Sequence, residues 1–302
     1  MKVITGLDFA IKNSSVSLGK FDGIHLGHRF LLSRIMNQKE YIPTVFTFEM
    51  NADSPKIYTQ KEKDFILEEL GVAREVIFPF HEKTRNMTPE EFIKEVLVRR
   101  MDAKHICVGE DFRFGKDRQG DVHTLQMYQK EYGYQLEIIK KLTYDNEIIS
   151  STRVRELMDE GDIATVNRLL GKPYFIAGKV VHGNELGRTM EMPTANIIPE
   201  SGKKLLPFGV YATTVLVDGK EYFGVTNIGR KPTIGEFSAG VETNIMDFEG
   251  NLYDREIKVV FYEFLRSEKK FDNTEQLRKQ MENDREKAYQ VLARMDIPAR
   301  NY

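Results

Sequence analysis

Two histidines, His25 and His28, stand three residues apart in VSLGKFDGIHLGHRF, which runs from Val16 to Phe30. The stretch opens on apolar residues in the style of a buried strand. A turn with two glycines and an aspartate follows, and Phe30, Leu31, Leu32 and Ile35 then recur at helical spacing. A strand, a glycine-punctuated turn and a helix start in that order suit an anion, because free backbone N–H groups and the positive helix end converge on one point. The turn is neither GxGxxG nor a Walker A loop, since no GK[ST] follows it. Paired imidazoles beside the helix start suit the charge that builds on a transferring phosphoryl or nucleotidyl group. A zinc pair is the competing use, but the sequence supplies no cysteine cluster or HExxH for it.

Other stretches carry chemistry of their own. ISSTRVREL reads as a helix start with Ser151 or Thr152 as cap, and Arg153 and Arg155 then lie where cations oppose the helix dipole, a placement that an anion would explain. GEDFRFGKDRQG, Gly109 to Gly120, is too polar and glycine-broken for core. Its Asp111, Arg113 and Arg118 can meet a nucleotide, while Phe112 and Phe114 can pack against a sheet or a ring. In MPTAN, Met192 to Asn196, a φ-fixing proline precedes two short oxygen-bearing side chains in a strand-poor context, a pattern that suits magnesium held against phosphates but is also common in turns. Glu242 enters the apolar run of VETNIMDF, where solvation is its plainest use.

The elements that must position these groups differ between the two halves. TVFTF, EVIF, HICVG and QLEIIKKL read as strands. Between them fall helices at Lys61 to Leu70 stopped by Gly71, at TPEEFIKEVLVRR capped by Thr88 with Pro89 first, and at Val122 to Tyr132 ended by Gly133. Such alternation predicts an α/β domain on a mainly parallel sheet, with ligands beyond the carboxyl ends of its strands. A helical stretch ends at Gly171 and Pro173, where the seam is placed, giving domains 1–171 and 172–302. Beyond it YFIAGKVV, GVYATTVLV, KEYFGVTNI and EIKVVFYEFL are strand-like without helices between, which predicts an antiparallel barrel or sandwich, with a tight turn at Asp218 and Gly219. A helix from Thr274 to Met295, capped by Thr274, closes the chain.

At 302 residues, 41% hydrophobic and 30% charged, the chain has material for two cores, and its net charge of −2 gives no reason to expect nucleic acid. The lone Cys107 lies in a buried-strand pattern and cannot form an internal disulfide. No apolar leader or run of 18 apolar residues is visible, so a cytoplasmic protein without a membrane partner is expected.

GKFDGIHLGH resembles the HxGH nucleotidyltransferase signature, IISSTRVR resembles the second signature of that superfamily, and MPTAN resembles the riboflavin kinase signature. Together, in this order and length, they resemble the bacterial bifunctional riboflavin kinase/FAD synthetase family over almost the whole chain. The resemblance implies a Rossmann-like FMN adenylyltransferase domain followed by a β-barrel riboflavin kinase domain with a terminal helix. It implies phosphorylation of riboflavin by ATP to FMN, then adenylylation of FMN by a second ATP to FAD and pyrophosphate, with Mg2+, and flavoproteins as acceptors of the FAD. It assigns catalytic roles to His25, His28, Arg155 and Glu242, the last as base toward the terminal ribityl hydroxyl. Nucleotide or flavin contacts fall to Gly19, Phe21, Asp22, Gly23, Gly27, Asp111, Ser151 and Thr152. In the second half they fall to Gly178, Lys179, Gly183, Gly187 and Arg188 of a flap, to Thr194 and Asn196 as magnesium ligands, and to Asn227 and Arg230.

One departure stands out: TFEMNADSPKIY replaces a family stretch like TFEPHP, so Met50, Asn51 and Ala52 fall where a histidine near the phosphates is expected. Two other readings use parts of the pattern. One is a flavin- or nucleotide-binding protein with a decayed synthetase half, the other a nucleotidyltransferase with different substrates, which MPTAN and the β-rich half oppose.

Overall fold

The computed structural model describes residues 1–49, 55–182, 194–233 and 236–295. The Met50–Ala52 departure and the flap residues Gly183, Gly187 and Arg188 lie outside these. Backbone contacts group the chain into two compact units, one of Met1–Lys56 with Gln60–Ser151, the other of Ile57–Thr59 with Thr152–Tyr302.

The first unit holds strands β1 (Lys2–Thr5), β2 (Ser14–Leu18), β3 (Ile42–Phe48), β4 (Arg74–Phe78), β5 (Ala103–Gly109) and β6 (Gln135–Ile139), parallel throughout and ordered β1-β4-β3-β2-β5-β6. The chain runs outward from β2 to β3 and β4, then returns to the other side of β2 for β5 and β6. The order therefore reverses at β2, and the crevice beyond its carboxyl end is where ligands gather in such sheets. The helices are α1 (Leu26–Met36), α2 (Gln60–Glu69), α3 (Glu82–Arg85), α4 (Pro89–Glu91) and α5 (Val122–Tyr132). Thr88 caps α4 as expected, with a reciprocal bond from its own N–H to Glu91, but the helix then widens into a π-helical stretch, Phe92–Arg100. Gly133 ends α5 in the left-handed conformation (φ 71°), which glycine adopts without penalty. Phe30, read as part of the apolar stripe of α1, is 41% exposed, and Leu31, Leu32 and Ile35 carry the burial. A hairpin of β7 (Thr143–Tyr144) and β8 (Glu147–Ile148) follows β6.

The second unit contains α6 (Ser151–Glu160, from Thr152 on) and α7 (Ile163–Leu170), the latter ended by left-handed Gly171. Six strands, β9 (Phe175–Val181), β10 (Thr194–Ile197), β11 (Gly209–Val217), β12 (Lys220–Thr233), β13 (Glu236–Ile245) and β14 (Glu256–Arg266), close into an antiparallel barrel in the order β10-β13-β12-β11-β14-β9. The described part of MPTAN is therefore not strand-poor: Thr194 and Asn196 are on a barrel strand, alternating with the buried Ala195 and Ile197. Thr213, Thr226 and Thr243 are fully buried and bridge their hydroxyls at 2.8 and 2.9 Å, satisfying one another inside the barrel. Asp218 and Gly219 both take positive φ (47° and 81°), the tight turn that matches strand twist. The terminal helix α8 (Thr274–Arg294) packs Ala288 and Leu292 on Ala212 and Met246 of the barrel's outer face. Its cap is Asn273, whose side chain accepts from the Gln276 N–H at 2.9 Å, and not Thr274.

Candidate active sites

In the first unit β2 is buried at every position, its three serines bonded within the sheet region, and its carboxyl end opens into the histidine turn. The turn is strained: Phe21, Gly23 and Ile24 take φ of 50°, 84° and 41°. Left-handed φ at a buried phenylalanine and a β-branched isoleucine persists only where the surroundings enforce it, and such strain gathers at functional sites. His25 caps α1, its Nδ1 accepting from the His28 N–H at 3.4 Å, which leaves the ring proton on Nε2. The His25 and His28 rings stack with centroids 3.8 Å apart, and Phe21 flanks His28 at 5.2 Å. A Cβ on Gly27 would lie 3.1 Å from the His25 ring, and one on Gly19 3.3 Å from Phe21, so both glycines make room for the stack. The Nδ1 of His28 is buried without a hydrogen-bond partner among the described residues, a costly state for a polar atom.

Burial lowers the His25 pKa to about 4, and burial together with His25 lowers that of His28 well below the ordinary value. At neutral pH both rings are therefore neutral N–H donors, not cations. The unfolded chain binds protons at these rings near pH 6.5 and the folded one does not, so stability is lost as pH falls from about 6.5 toward 4. Urea unfolding at pH 7.5, 6 and 5 is expected to show that loss in the parent and a shallower one in His25→Gln. Equal slopes would contradict it.

The Ser151 hydroxyl donates to the Asp22 carbonyl of the turn at 2.7 Å. Asp111 follows β5, the strand beside β2, and is exposed and paired with Lys141 at 2.8 Å. Phe114 is buried and stacks on Phe112 at 5.5 Å, while Arg113 turns toward Asp121 at 3.8 Å. Thr152 and Arg155 lie on α6 within the second unit.

In the second unit the strand register assembles a polar patch. Asn227, Glu242 and Asn196 form one row across β12, β13 and β10, and Val225, Asn244 and Thr194 form the next. The Thr194 hydroxyl donates diagonally to Glu242 Oε1 at 2.6 Å. Two cavities meet at Thr194. One, of about 260 Å³, is walled by Asn227, Glu242, Asn244 and the apolar Phe271, Leu277 and Met281. The other, of about 750 Å³, runs past Ala195, Ile245, Phe248 and the loop Glu249–Tyr253. Glu242 lines the smaller cavity and accepts from Thr194, which lines both; a carboxylate so placed can take a proton from a group in the smaller cavity as that group attacks a molecule in the other. Asn196 is 4% exposed, and its buried Oδ1 has no hydrogen-bond partner among the described residues.

The other assigned residues divide. Arg230 stands outside both cavities, over the Phe208 ring at 5.9 Å. Lys179 pairs with Asp254 at 2.8 Å, and Gly178 lets Ile197 pack where a Cβ would clash.

A family model described as riboflavin kinase matches residues 170–292, and one described as FAD synthetase matches residues 9–153. The bifunctional riboflavin kinase/FMN adenylyltransferase of Haemophilus influenzae is 34% identical over 304 residues, covering 95% of this chain and 98% of its own. The chain belongs to the bifunctional riboflavin kinase/FMN adenylyltransferase family. The family's Bacillus subtilis member is 33% identical over 298 residues, with 93% of each chain covered. A crystal structure described as a macrolide-efflux protein from Streptococcus pneumoniae has the same fold, with a TM-score of 0.83 and 29% identity over 94% of this chain and 98% of that one. No helix among the described residues is long and apolar enough to cross a membrane.

Sequence reasoning missed Asn244, which shares a strand face with Glu242 and was open to simple alternation. It also missed the cavity wall from Arg266, Glu268, Phe271 and α8, which no local pattern signals.

Proposed function

We propose that the two reactions of this family run at the two sites described, one in each unit. The protein phosphorylates riboflavin with ATP to FMN and adenylylates FMN with a second ATP to give FAD and pyrophosphate. The observation that carries the assignment of residues is the Thr194–Glu242 hydrogen bond at the junction of the two cavities. Riboflavin occupies the cavity under α8 and ATP the one along Phe248 and Tyr253. The terminal ribityl oxygen attacks the γ-phosphorus of ATP, the bond from that phosphorus to the ADP oxygen breaks, and Glu242 takes the hydroxyl proton.

Thr194 and Asn196 fit a magnesium ion. They offer a hydroxyl and an orphaned carboxamide oxygen, and no group of three or more His, Cys, Asp or Glu side chains among the described residues would hold a metal by itself. Mg2+ normally arrives with nucleotide phosphates and few protein ligands, and when bound it offsets their charge. Asn196→Ala is expected to raise the Mg2+ concentration for half-maximal FMN formation roughly tenfold. Its circular dichroism should match the parent, and an unchanged Mg2+ requirement would remove Asn196 from this role.

At the histidine turn the FMN phosphate is already an anionic nucleophile. It attacks the α-phosphorus of ATP, the bond to pyrophosphate breaks, and no protein base is needed. His25, His28 and the N-terminal N–H groups of α1 donate to the phosphate oxygens, with Ser151 and Asp111 completing the nucleotide site of the first unit. The flavin formed serves flavoproteins, and the protein works in the cytoplasm.

The seam at Gly171 is tested by fragments. Residues 172–302 are expected to fold and to phosphorylate riboflavin, since Thr194, Asn196 and Glu242 lie beyond it. A folded but inert fragment beside an active whole chain would move the kinase site or its boundary.

A further inference from the structure

Arg266 ends β14 on the wall of the cavity under α8, yet its donors are committed elsewhere. Nε donates to both oxygens of Asp284 at 3.0 Å, Nη2 donates to Oδ2 at 2.7 Å, and Nη1 donates to the Ser267 carbonyl at 3.0 Å. Asp284 is only 2% exposed, and Gln280, one turn earlier on α8, donates to its Oδ1 at 2.9 Å. A forked guanidinium–carboxylate pair fixes direction as well as distance, unlike a point-charge contact. The backbone at Arg266 is pinned too: its carbonyl oxygen lies 2.5 Å from where a Cβ on Gly209 would be.

Immediately after Arg266 the chain leaves the barrel, and the connection to α8 contributes Glu268, Lys269 and Phe271 to the cavity wall. The Glu268 carboxylate fills the space that a side chain on Gly229 would need, while Phe271 lies under Arg266 and Lys269 at 6.0 and 5.8 Å. This segment therefore has one fixed end at the Arg266 fork and one at the Asn273 cap of α8.

We propose that Arg266 and Asp284 are positioning residues for riboflavin phosphorylation: their fork holds the Glu268–Phe271 wall against α8 and sets the width of the cavity that receives the flavin. The proposal rests on reading that cavity as the riboflavin end of the kinase site. Neither residue touches the reacting atoms, so the expected effect falls on riboflavin binding and not on the chemical step.

The test uses the full chain. In Asp284→Asn, riboflavin KM and the Kd from flavin fluorescence quenching are expected to rise about tenfold or more, with kcat for FMN formation within about twofold of the parent. FAD formation from supplied FMN should be unchanged. Because an unpaired buried arginine threatens folding, a second variant replaces both partners, Arg266→Met with Asp284→Leu, an apolar pair that a core tolerates. The latch predicts a parental unfolding midpoint and a raised riboflavin KM in this double variant. A parental midpoint together with a parental KM would overturn the proposal and leave the pair a structural tie. Met281→Trp separates the underlying reading: it fills the cavity and should abolish riboflavin binding. If Met281→Trp binds riboflavin normally, the cavity assignment itself fails. If it blocks binding while the double variant binds as the parent does, only the latch fails.

Discussion

Replacing Glu242 by Gln is expected to slow FMN formation by about 10²–10⁴-fold, the usual worth of general-base assistance. Gln keeps the size of the side chain and an oxygen that can still accept from Thr194, which donates at 2.6 Å in the parent. What is lost is the group that takes the proton from the ribityl hydroxyl as it attacks phosphorus. FAD formation from supplied FMN should stay at the parental rate, because the histidine turn belongs to the other unit. Steady-state product formation from riboflavin and, separately, from FMN measures both. A parental rate of FMN formation in Glu242→Gln would show that the carboxylate is not the base.

His28→Ala is expected to do the reverse, lowering FAD formation by about 10²–10³-fold, the typical cost of one donor aimed at developing charge. Burial keeps this ring neutral, so its contribution is a directed N–H and not a net charge. Activity should accordingly stay flat from pH 6.5 to 8 as far as the two histidines are concerned. Riboflavin phosphorylation is expected to continue, and FMN to accumulate. An undiminished FAD rate in His28→Ala would remove the ring from the adenylyl-transfer step.

What the sequence revealed of the fold was mostly local in origin. Thr88 with Pro89 and Glu91, Gly133, Gly171 and the Asp218–Gly219 turn each act through backbone atoms a few residues away, so their neighbours in sequence suffice to read them. The histidine turn was legible for the same reason. The structure departs from the sequence pattern where a choice depends on a distant partner. Asn273 and Thr274 both carry a capping oxygen, and the direction of the incoming chain selects Asn273. MPTAN read as a loop because its proline and short polar residues also suit turns, whereas β10 forms because β13 and β9 offer it ladders on both sides. Phe30 looked like core, but α1 turns only Leu31, Leu32 and Ile35 inward.

The candidate sites divide in the same way. Glu242 and Thr194 are 48 positions apart, and no spacing rule joins them; their resemblance to a known signature drew attention to both, and antiparallel register then makes them neighbours. Arg266 and Asp284 carried no signature, and an arginine on a strand end with an aspartate in a charge-rich helix reads as ordinary surface. Only the closure of the barrel under α8 buries the aspartate and turns the pair into a fork.

We propose that two independent sites, with opposite chemical requirements, act in series on one flavin. The most direct measurement is a chromatogram of products made by the whole chain, Glu242→Gln and His28→Ala, each given riboflavin or FMN with ATP and Mg2+. FMN and FAD are expected from the parent. Glu242→Gln is expected to give FAD from FMN but almost no product from riboflavin, and His28→Ala to give FMN without FAD. Loss of both products in either variant that remains folded, or of neither product in both variants, would contradict it.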